Sequence, residues 1–191
     1  MNMPTALVLL ASYLLGSIPF AYIWSKRFKG IDIREVGSGN VGTTNVVLNV
    51  GWIPGILTAI CDAGKGMLAV HLARVTLPEI PWAQLAAVFF AVVGHNWSVW
   101  LNFEGGGGLA TYVGGLLLIS AVSVLYLGLV WGSSFLLTGH KYAASVLTCA
   151  LMPVFFAFIG GSVYHVWFGI SMGVALGIKQ VVAWFRVART A

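Results

Sequence analysis

Charge is the scarcest property of this sequence: only 8% of its 191 residues are charged, and only five residues are acidic. A water-soluble domain normally carries about a quarter charged residues. With 59% hydrophobic residues and a mean hydropathy of +0.94, the chain could not cover a water-facing surface. The composition therefore excludes an ordinary soluble domain and indicates a protein whose main solvent is lipid.

Cysteine is also scarce, and its positions argue against a metal site. Cys61 and Cys149 lie in apolar stretches and match no metal-ligand spacing, so we interpret both as small buried hydrophobic residues. His71 and His165 lie on apolar segments without ligand-like companions. We therefore expect no metal.

Long apolar runs are what the sequence has in abundance. A membrane core of about 30 Å needs roughly 20 apolar helical residues per crossing, so the chain can supply six or seven crossings. No basic region precedes the first run, which predicts a spanning helix rather than a cleavable signal. The predicted segments are Thr5–Trp24, Trp52–Leu77, Trp82–Leu101, Leu109–Ile119, Val122–Thr138, Tyr142–Ile159 and Val163–Phe185.

The region from Leu109 to Thr138 is too long for one comfortable span, so we place a bend at Ser120. The fourth segment is then short, and we expect its first turns to begin in the preceding glycine-rich loop. The predicted fold class is an all-α polytopic membrane protein. It has one domain, residues 1–191, with seven transmembrane helices and glycine-rich cytoplasmic loops.

Basic residues set the predicted orientation, because cytoplasmic loops carry an excess of lysine and arginine. Six spans would put the C-terminal basic cluster outside, whereas seven spans put eight basic residues on one side. These are Lys26, Arg27, Lys29, Arg34, Lys141, Lys179, Arg186 and Arg189. We therefore predict a multi-pass protein with its N-terminus outside and its C-terminus in the cytoplasm. This distribution explains the net charge of +5 without a nucleic-acid partner.

The first stretch that breaks the apolar pattern is Gly37-Ser-Gly-Asn-Val-Gly-Thr-Thr-Asn45. Such a run can expose successive backbone N–H groups, and a helix starting near Thr43 would aim its N-terminus at an anion. A flexible connector is the alternative. The concentration of hydroxyl and amide side chains favours an anion site.

The second stretch is Gly94-His-Asn96 followed by Phe103-Glu-Gly-Gly-Gly-Gly108. Four consecutive glycines allow close approach to a ligand or form a nest of amides, but they are equally compatible with a flexible turn. Glu104 argues against a simple phosphate cradle, because its carboxylate would repel an anion at short range.

The third stretch is Asp62-Ala-Gly-Lys-Gly66, which lies within a predicted span. Asp62 and Lys65 are three residues apart, so they share a helix face and can pair. An ionisable residue inside a membrane is by default a functional hypothesis. An ion pair that only fixes helix packing is the alternative, and the sequence leaves it open.

Together these stretches resemble the bacterial acyl-phosphate-dependent glycerol-3-phosphate acyltransferases, the integral membrane family often called PlsY. The similarity runs in order through most of the chain. The segments that carry it are Gly16-Ser-Ile-Pro-Phe20, Asp32-Ile-Arg-Glu-Val-Gly-Ser-Gly-Asn-Val-Gly-Thr-Thr-Asn45, Asp62-Ala-Gly-Lys-Gly66, Gly94-His-Asn96, Phe103-Glu-Gly-Gly-Gly-Gly-Leu-Ala-Thr111 and, more weakly, Lys141-Tyr-Ala-Ala-Ser145.

The resemblance implies transfer of a fatty acyl group from acyl phosphate to the 1-hydroxyl of glycerol 3-phosphate, giving lysophosphatidic acid. It implies the bacterial inner membrane as location, membrane lipids and the two substrates as partners, and no cofactor. No catalytic residue is assigned. The residues that it implies for substrate or phosphate binding are Ser38, Gly39, Asn40, Thr43, Asn45, Lys65, His95, Asn96, Gly105, Gly106 and Gly108.

The sequence departs from the family pattern at positions where the family has cationic or hydrogen-bonding side chains. Leu48 stands at a family arginine, and Glu104 and Gly107 stand at family lysines. Ala144 replaces a serine. The closing histidine and asparagine of the family become Gly177-Ile-Lys-Gln180, with at best the glutamine for the asparagine.

These departures shape the predicted function. One charge-assisted hydrogen bond contributes about 1.5–3 kcal/mol, so three lost cations would weaken phosphate binding by orders of magnitude. We therefore expect a family member that has lost catalysis and serves as a lipid-binding or structural subunit among other integral membrane proteins. The alternative is an active glycerol-3-phosphate acyltransferase in which Lys141 or Lys179 supplies the missing charge.

The predicted orientation can be measured by cysteine labelling. In a variant without native cysteines, a cysteine at Ser38 or Gly107 should react with an impermeant maleimide only from the cytoplasmic side, because seven spans put both loops there. A cysteine at Glu79, in a loop on the other side, should react from outside. Labelling of either glycine-rich loop in intact cells would contradict the orientation.

Overall fold

The computed structural model describes the backbone of residues 2–188 and the side chains of residues 2–185. The Arg186 side chain and the whole of Arg189, two of the basic residues on which the predicted orientation depends, lie outside the described residues. The described residues form helices and no strand. The helices are α1 Met3–Ser17, α2 Phe20–Lys29, α3 Thr43–Asn49, α4 Trp52–Thr76, α5 Ala83–Asn96, α6 Leu109–Ile119, α7 Ala121–Thr138, α8 Lys141–Gly160 and α9 Val163–Ala188, with 3₁₀ turns at Ile33–Glu35 and Val99–Leu101.

Six helical segments in the described part of the chain are long and apolar enough to cross a membrane. They are α1 together with α2, α5 together with the 3₁₀ turn that follows it, and α4, α7, α8 and α9. The predicted all-α polytopic fold is confirmed. The predicted fourth span, α6, has eleven residues, and at 1.5 Å per residue it is only about half as long as a membrane core of about 30 Å. The seven predicted spans therefore correspond to six helical segments of full length and one short helix. The orientation of the termini stays a prediction.

The short helix α6 begins at Leu109, so the expectation that its first turns lie in the glycine loop was wrong. Gly108 has a left-handed backbone with φ +78°, which a right-handed helix cannot include. At its other end α6 stops at Ser120, whose extended backbone separates it from α7. The Ser120 hydroxyl accepts a hydrogen bond from the Ser123 amide at 3.3 Å, so the predicted bend is confirmed.

The first span is broken at Ile18 and Pro19, which the prediction of a continuous Thr5–Trp24 helix missed. Proline has no amide hydrogen, and its ring clashes with the carbonyl four residues earlier. The break frees two backbone carbonyls, and side chains of other elements bond them: Ser98 Oγ donates to Ser17 O at 2.6 Å, and Lys65 Nζ donates to Ile18 O at 2.9 Å. Such neighbouring donors are what allow membrane helices to contain breaks.

Glycines bring α1 close to α5 and α6 close to α4. A Cβ atom on Gly16 would meet the backbone of Ala91, and one on Gly114 would meet the backbone carbonyl of Ala63. Small residues at such crossings let helix backbones pack directly, as is common in membrane bundles. These two crossings hold α4 and α5, the helices that carry the ionisable side chains described below.

The crossing of α4 and α6 gives a stability prediction. Gly114→Ala should lower the thermal unfolding temperature in detergent, because the added methyl group forces the backbones apart at a cost of about 1–3 kcal/mol. Gly128→Ala on α7 is the matched control, since a Cβ there meets nothing within 4 Å. Equal unfolding temperatures for the two variants would contradict the close crossing.

Candidate functional site

The first glycine-rich loop is folded around the side chain of Asn45, which is buried. Its amide group donates to the backbone carbonyls of Ile33, Val36 and Asn40 at 3.0, 3.0 and 3.1 Å. Its carbonyl oxygen accepts from the backbone N–H of Ser38 at 3.2 Å. Asn45 therefore has a structural role, because its side chain bonds the backbone of its own loop. This role is separate from the predicted phosphate-binding role.

Helix α3 begins at Thr43, as predicted, but it has only seven residues. Gly39, before it, has a left-handed backbone with φ +65°. Ser38 is exposed, and Asn40 and Thr43 are partly exposed, so all three lie towards the outside of the loop. Leu48 occupies the position at which the family pattern has an arginine. It lies on α3, and its side chain is 77% exposed.

The second glycine-rich loop packs directly on the end of α5 and on the first loop. The Gly106 amide donates to the backbone carbonyl of His95 at 3.0 Å. A Cβ on Gly105 would meet that carbonyl, and a Cβ on Gly106 would meet His95 Nε2 and the backbone carbonyl of Val41. Only glycine fits at both positions. These glycines therefore bring the two loops together over the imidazole.

An ion pair also joins the two loops. Arg34 lies 2.7 Å from the carboxylate of Asp32 and 3.4 Å from that of Glu104. The hydrogen bonds that Arg34 donates hold the pKa of the Asp32 carboxyl below its usual range. Glu104 argued against phosphate binding in the sequence, but in the structure Arg34 compensates its charge.

Three ionisable side chains meet inside the bundle beneath these loops. Lys65 Nζ lies 2.8 Å from Asp62 Oδ1, so the predicted pairing of these two residues is confirmed. His95 Nδ1 lies 3.5 Å from the same carboxylate oxygen. The exposed fractions are 1% for Asp62, 3% for Lys65 and 8% for His95. Charges buried this deeply are stable only when paired, and here the Lys65 ammonium group has the Asp62 carboxylate beside it.

A small cavity, with a volume of about 10 Å³, lies beside this cluster. Its walls come from the break in the first span, the buried cluster and both loops. Of the predicted site residues, it brings together Lys65, His95 and Gly105. It also contains Asp62 and Ser98. Asp62 was recognised only as a partner for lysine, and Ser98 was missed because no local pattern marks it.

Asn96, the neighbour of His95, connects α5 to the last helix. It is fully buried, and its amide donates to the backbone carbonyl of Ala175 in α9 at 3.1 Å. Its carbonyl oxygen has no hydrogen-bond partner among the described residues and faces Gly108, where a Cβ would meet it. The predicted residue Gly108 therefore lies against Asn96 rather than in the cavity.

The last helix also reaches the glycine loop with two polar side chains. Lys179 Nζ lies 3.5 Å from the backbone carbonyl oxygen of Gly105 and 5.3 Å from the ring centre of Trp97. A Cβ on Gly107 would lie 3.6 Å from the amide nitrogen of Gln180. Residues 177–180, which depart from the family's closing motif, thus place a cation, Lys179, and an amide, Gln180, at the glycine loop.

The cluster offers acid–base chemistry. His95 has a carboxylate at one ring nitrogen and the glycine loop at the other, which is the arrangement of an oriented general base. Among the residues that the structure describes, no three histidine, cysteine or acidic side chains gather as a metal-ligand set.

Six membrane-length helices around a buried polar cluster, covered by two glycine-rich loops, define a polytopic membrane protein with an internal polar site. The chain belongs to the glycerol-3-phosphate acyltransferase family, whose sequence model matches residues 6–188. The resemblance seen in the sequence is therefore confirmed.

Individual relatives agree with the family match. The chain is 37% identical over 170 residues to a glycerol-3-phosphate acyltransferase of Carboxydothermus hydrogenoformans, covering 89% of this chain and 86% of that one. It is 42% identical over 160 residues to one of Gloeobacter violaceus, covering 82% and 78%.

Solved structures extend the likeness to the fold. The crystal structure of PlsY (YgiH), an integral membrane glycerol 3-phosphate acyltransferase, in its glycerol 3-phosphate form has a TM-score of 0.83 and 30% identity. The lysophosphatidic acid form gives 0.81 and 29%. Each match covers 97% of this chain and 92% of the other.

The buried pair predicts an unusual order of stability. Lys65→Met should unfold at a lower temperature in detergent than the double variant Asp62→Asn/Lys65→Met. A carboxylate stranded without its partner in a buried setting costs about 3–5 kcal/mol, whereas removing both charges avoids that cost. If the double variant is as unstable as the single one, the two side chains do not depend on each other.

Proposed function

We propose that this chain is an active glycerol-3-phosphate acyltransferase, which transfers a fatty acyl group from acyl phosphate to a hydroxyl of glycerol 3-phosphate. The relatives described above carry the acyltransferase name, and one solved relative is in its glycerol 3-phosphate form. These comparisons favour the active enzyme over the silent subunit expected from the sequence, and none of them supports a loss of catalysis.

The observation that carries the proposal is the position of the His95 ring. Its Nδ1 atom faces Asp62 at 3.5 Å, and its Nε2 atom lies against Gly106 of the glycine loop. A carboxylate on one nitrogen orients an imidazole and leaves the other nitrogen to accept a proton. The 3.5 Å separation is long for a hydrogen bond, and such contacts commonly tighten when substrate binds.

In the proposed reaction, His95 Nε2 accepts the proton of the attacking hydroxyl of glycerol 3-phosphate. The hydroxyl oxygen forms a bond to the carbonyl carbon of acyl phosphate, and the bond from that carbon to the phosphate oxygen breaks. Phosphate leaves with the electron pair and takes the proton from His95. Acyl phosphate is a mixed anhydride with a good leaving group, so positioning and electrostatic stabilisation supply most of the catalysis.

Two features, one on the cavity wall and one at the glycine loop, favour the negative charge that this reaction carries. Lys65 lies on the cavity wall, held between Asp62 and the carbonyl of Ile18. Helix α6 starts at the glycine loop, and its N-cap residue Gly108 provides no side-chain hydrogen bond to the first amides. Uncapped amides at a helix N-terminus attract phosphate groups.

The proposal is tested with the protein reconstituted in liposomes and supplied with palmitoyl phosphate and glycerol 3-phosphate. We expect lysophosphatidic acid at about one turnover per second or faster, the low end of typical enzymes. His95→Gln should lower kcat by about 10²–10⁴-fold, the usual contribution of a general base. His71→Gln, at an exposed histidine on α4, is the matched control and should leave kcat unchanged. Formation of product no faster than in protein-free liposomes would overturn the proposal and favour the silent lipid-binding subunit.

A further inference from the structure

Three basic side chains lie together at the end of the first span. Lys26, Arg27 and Lys29 belong to the last turn of α2, and all three are exposed. None of them forms an ion pair with a carboxylate among the residues that the structure describes. The end of α2 therefore presents three positive charges to its surroundings.

The acidic side chains of the loop that follows α2 do not neutralise these charges. Asp32 is held by Arg34 at 2.7 Å, and Arg34 also lies 3.4 Å from Glu104. Glu35 is exposed and makes no ion pair with a described residue. The region thus has three unpaired cations at the end of α2 against one unpaired carboxylate.

Large apolar side chains are exposed next to this basic turn. Lys29 Nζ donates to the backbone carbonyl of Asn49 at 2.9 Å, which joins the end of α2 to the end of α3. Helix α4 begins three residues later at Trp52, and Trp52, Ile53 and Ile56 are all exposed. Cationic and apolar groups therefore meet where one membrane span ends and the next begins.

This combination of groups suits a phospholipid. Ile53, Ile56 and Ile60 recur at intervals of three and four residues, so they form one exposed stripe along α4. A tryptophan at the end of a span, such as Trp52, lies at the level of the headgroups. Lysine and arginine form charge-assisted hydrogen bonds with phosphate, and basic residues next to a membrane surface attract anionic lipids. A zwitterionic headgroup carries a cation of its own, so three basic side chains favour a headgroup with net negative charge.

We propose that the last turn of α2 binds the headgroup of an anionic phospholipid of the surrounding bilayer, whose acyl chains lie along the exposed stripe of α4 that begins at Trp52. No residue of this surface lines the cavity beside His95. The lipid is therefore a partner of the membrane domain rather than a substrate, and its binding does not depend on the proposed acyl transfer.

The lipid preference of the purified full chain tests the proposal. The protein in neutral detergent is mixed with equal amounts of dioleoyl phosphatidylglycerol and dioleoyl phosphatidylcholine, and native mass spectrometry measures which lipid stays bound. We expect preferential retention of phosphatidylglycerol. The double variant Lys26→Gln/Arg27→Gln should lower the affinity for phosphatidylglycerol by about fivefold for each cation removed and leave that for phosphatidylcholine unchanged. Lys29 is kept in this variant, because its bond to Asn49 also supports the fold.

Lys141→Gln is the matched control for Lys26→Gln. Both lysines are exposed, and both ammonium groups lie over a tyrosine ring, 5.7 Å from the centre of Tyr22 and 5.1 Å from that of Tyr142. Lys141 lies at the start of α8, and its removal should leave the lipid preference unchanged. The exchange Lys26→Arg/Arg27→Lys keeps both charges and should keep the preference, which distinguishes a loss of charge from a loss of fold.

Three results would contradict the lipid site. Equal retention of the two lipids by the unchanged protein would show that it has no preference for a negative headgroup. An equal loss in Lys26→Gln and Lys141→Gln would show attraction by net charge alone. Retention of lysophosphatidic acid without phosphatidylglycerol would show a site for the product of the proposed reaction instead of a bilayer lipid.

The acyltransferase assay keeps this inference separate from the proposed function. In phosphatidylcholine liposomes the double variant Lys26→Gln/Arg27→Gln should have the kcat of the unchanged protein, because neither side chain lines the cavity. A lipid preference in a chain without turnover would overturn the enzyme and support the lipid site. Turnover in a chain without lipid preference would overturn the lipid site and support the enzyme.

Discussion

The break in the first membrane helix is the constraint on which the rest of the site depends. The first span is interrupted at Pro19, and the break leaves backbone carbonyls of α1 without their usual partners four residues later in a helix. Lys65 bonds one of them, and its charge in turn needs the carboxylate of Asp62. The same carboxylate faces His95 and orients its imidazole ring. The contacts that begin at the helix break therefore extend to His95. The helix break, the buried cation, its counter-ion and the candidate base are therefore connected by direct contacts.

Glycine has two different functions in this molecule, and both are needed to form the site. At the helix crossings, Gly16 and Gly114 allow backbones to touch, which fixes α4 and α5 relative to their neighbours. In the second loop, Gly105 and Gly106 allow the chain to lie on His95 without a side chain between them. The first function packs α1 and α6 against the helices that carry the ionisable groups, and the second places the loop directly on the imidazole.

The losses of charge at individual positions favoured a silent subunit when the sequence was considered alone, and the tertiary structure changes that interpretation. Glu104 is compensated by Arg34, which is seventy positions away in the chain. Lys179, even further along, lies at the loop that lacks its own lysines. A comparison made position by position treats each lost cation as a lost interaction, although a cation from another helix can occupy the same region of space. Charge near a site is a property of the fold rather than of one motif.

The amino-acid sequence alone was enough to predict the membrane class, the bend at Ser120 and the pairing of Asp62 with Lys65, and its motifs carried the resemblance to the family. The first three predictions depend on local length and spacing, because the thickness of a bilayer and the pitch of a helix are fixed quantities. The proline break was also readable from the sequence, although its partners were not. Only the tertiary structure decided that Asn45 folds its own loop, that His95 faces both Asp62 and Gly106, and that Lys179 reaches the glycine loop. Those contacts join segments far apart in the chain, and the lateral packing of helices that brings them together has no signature in any single stretch of sequence.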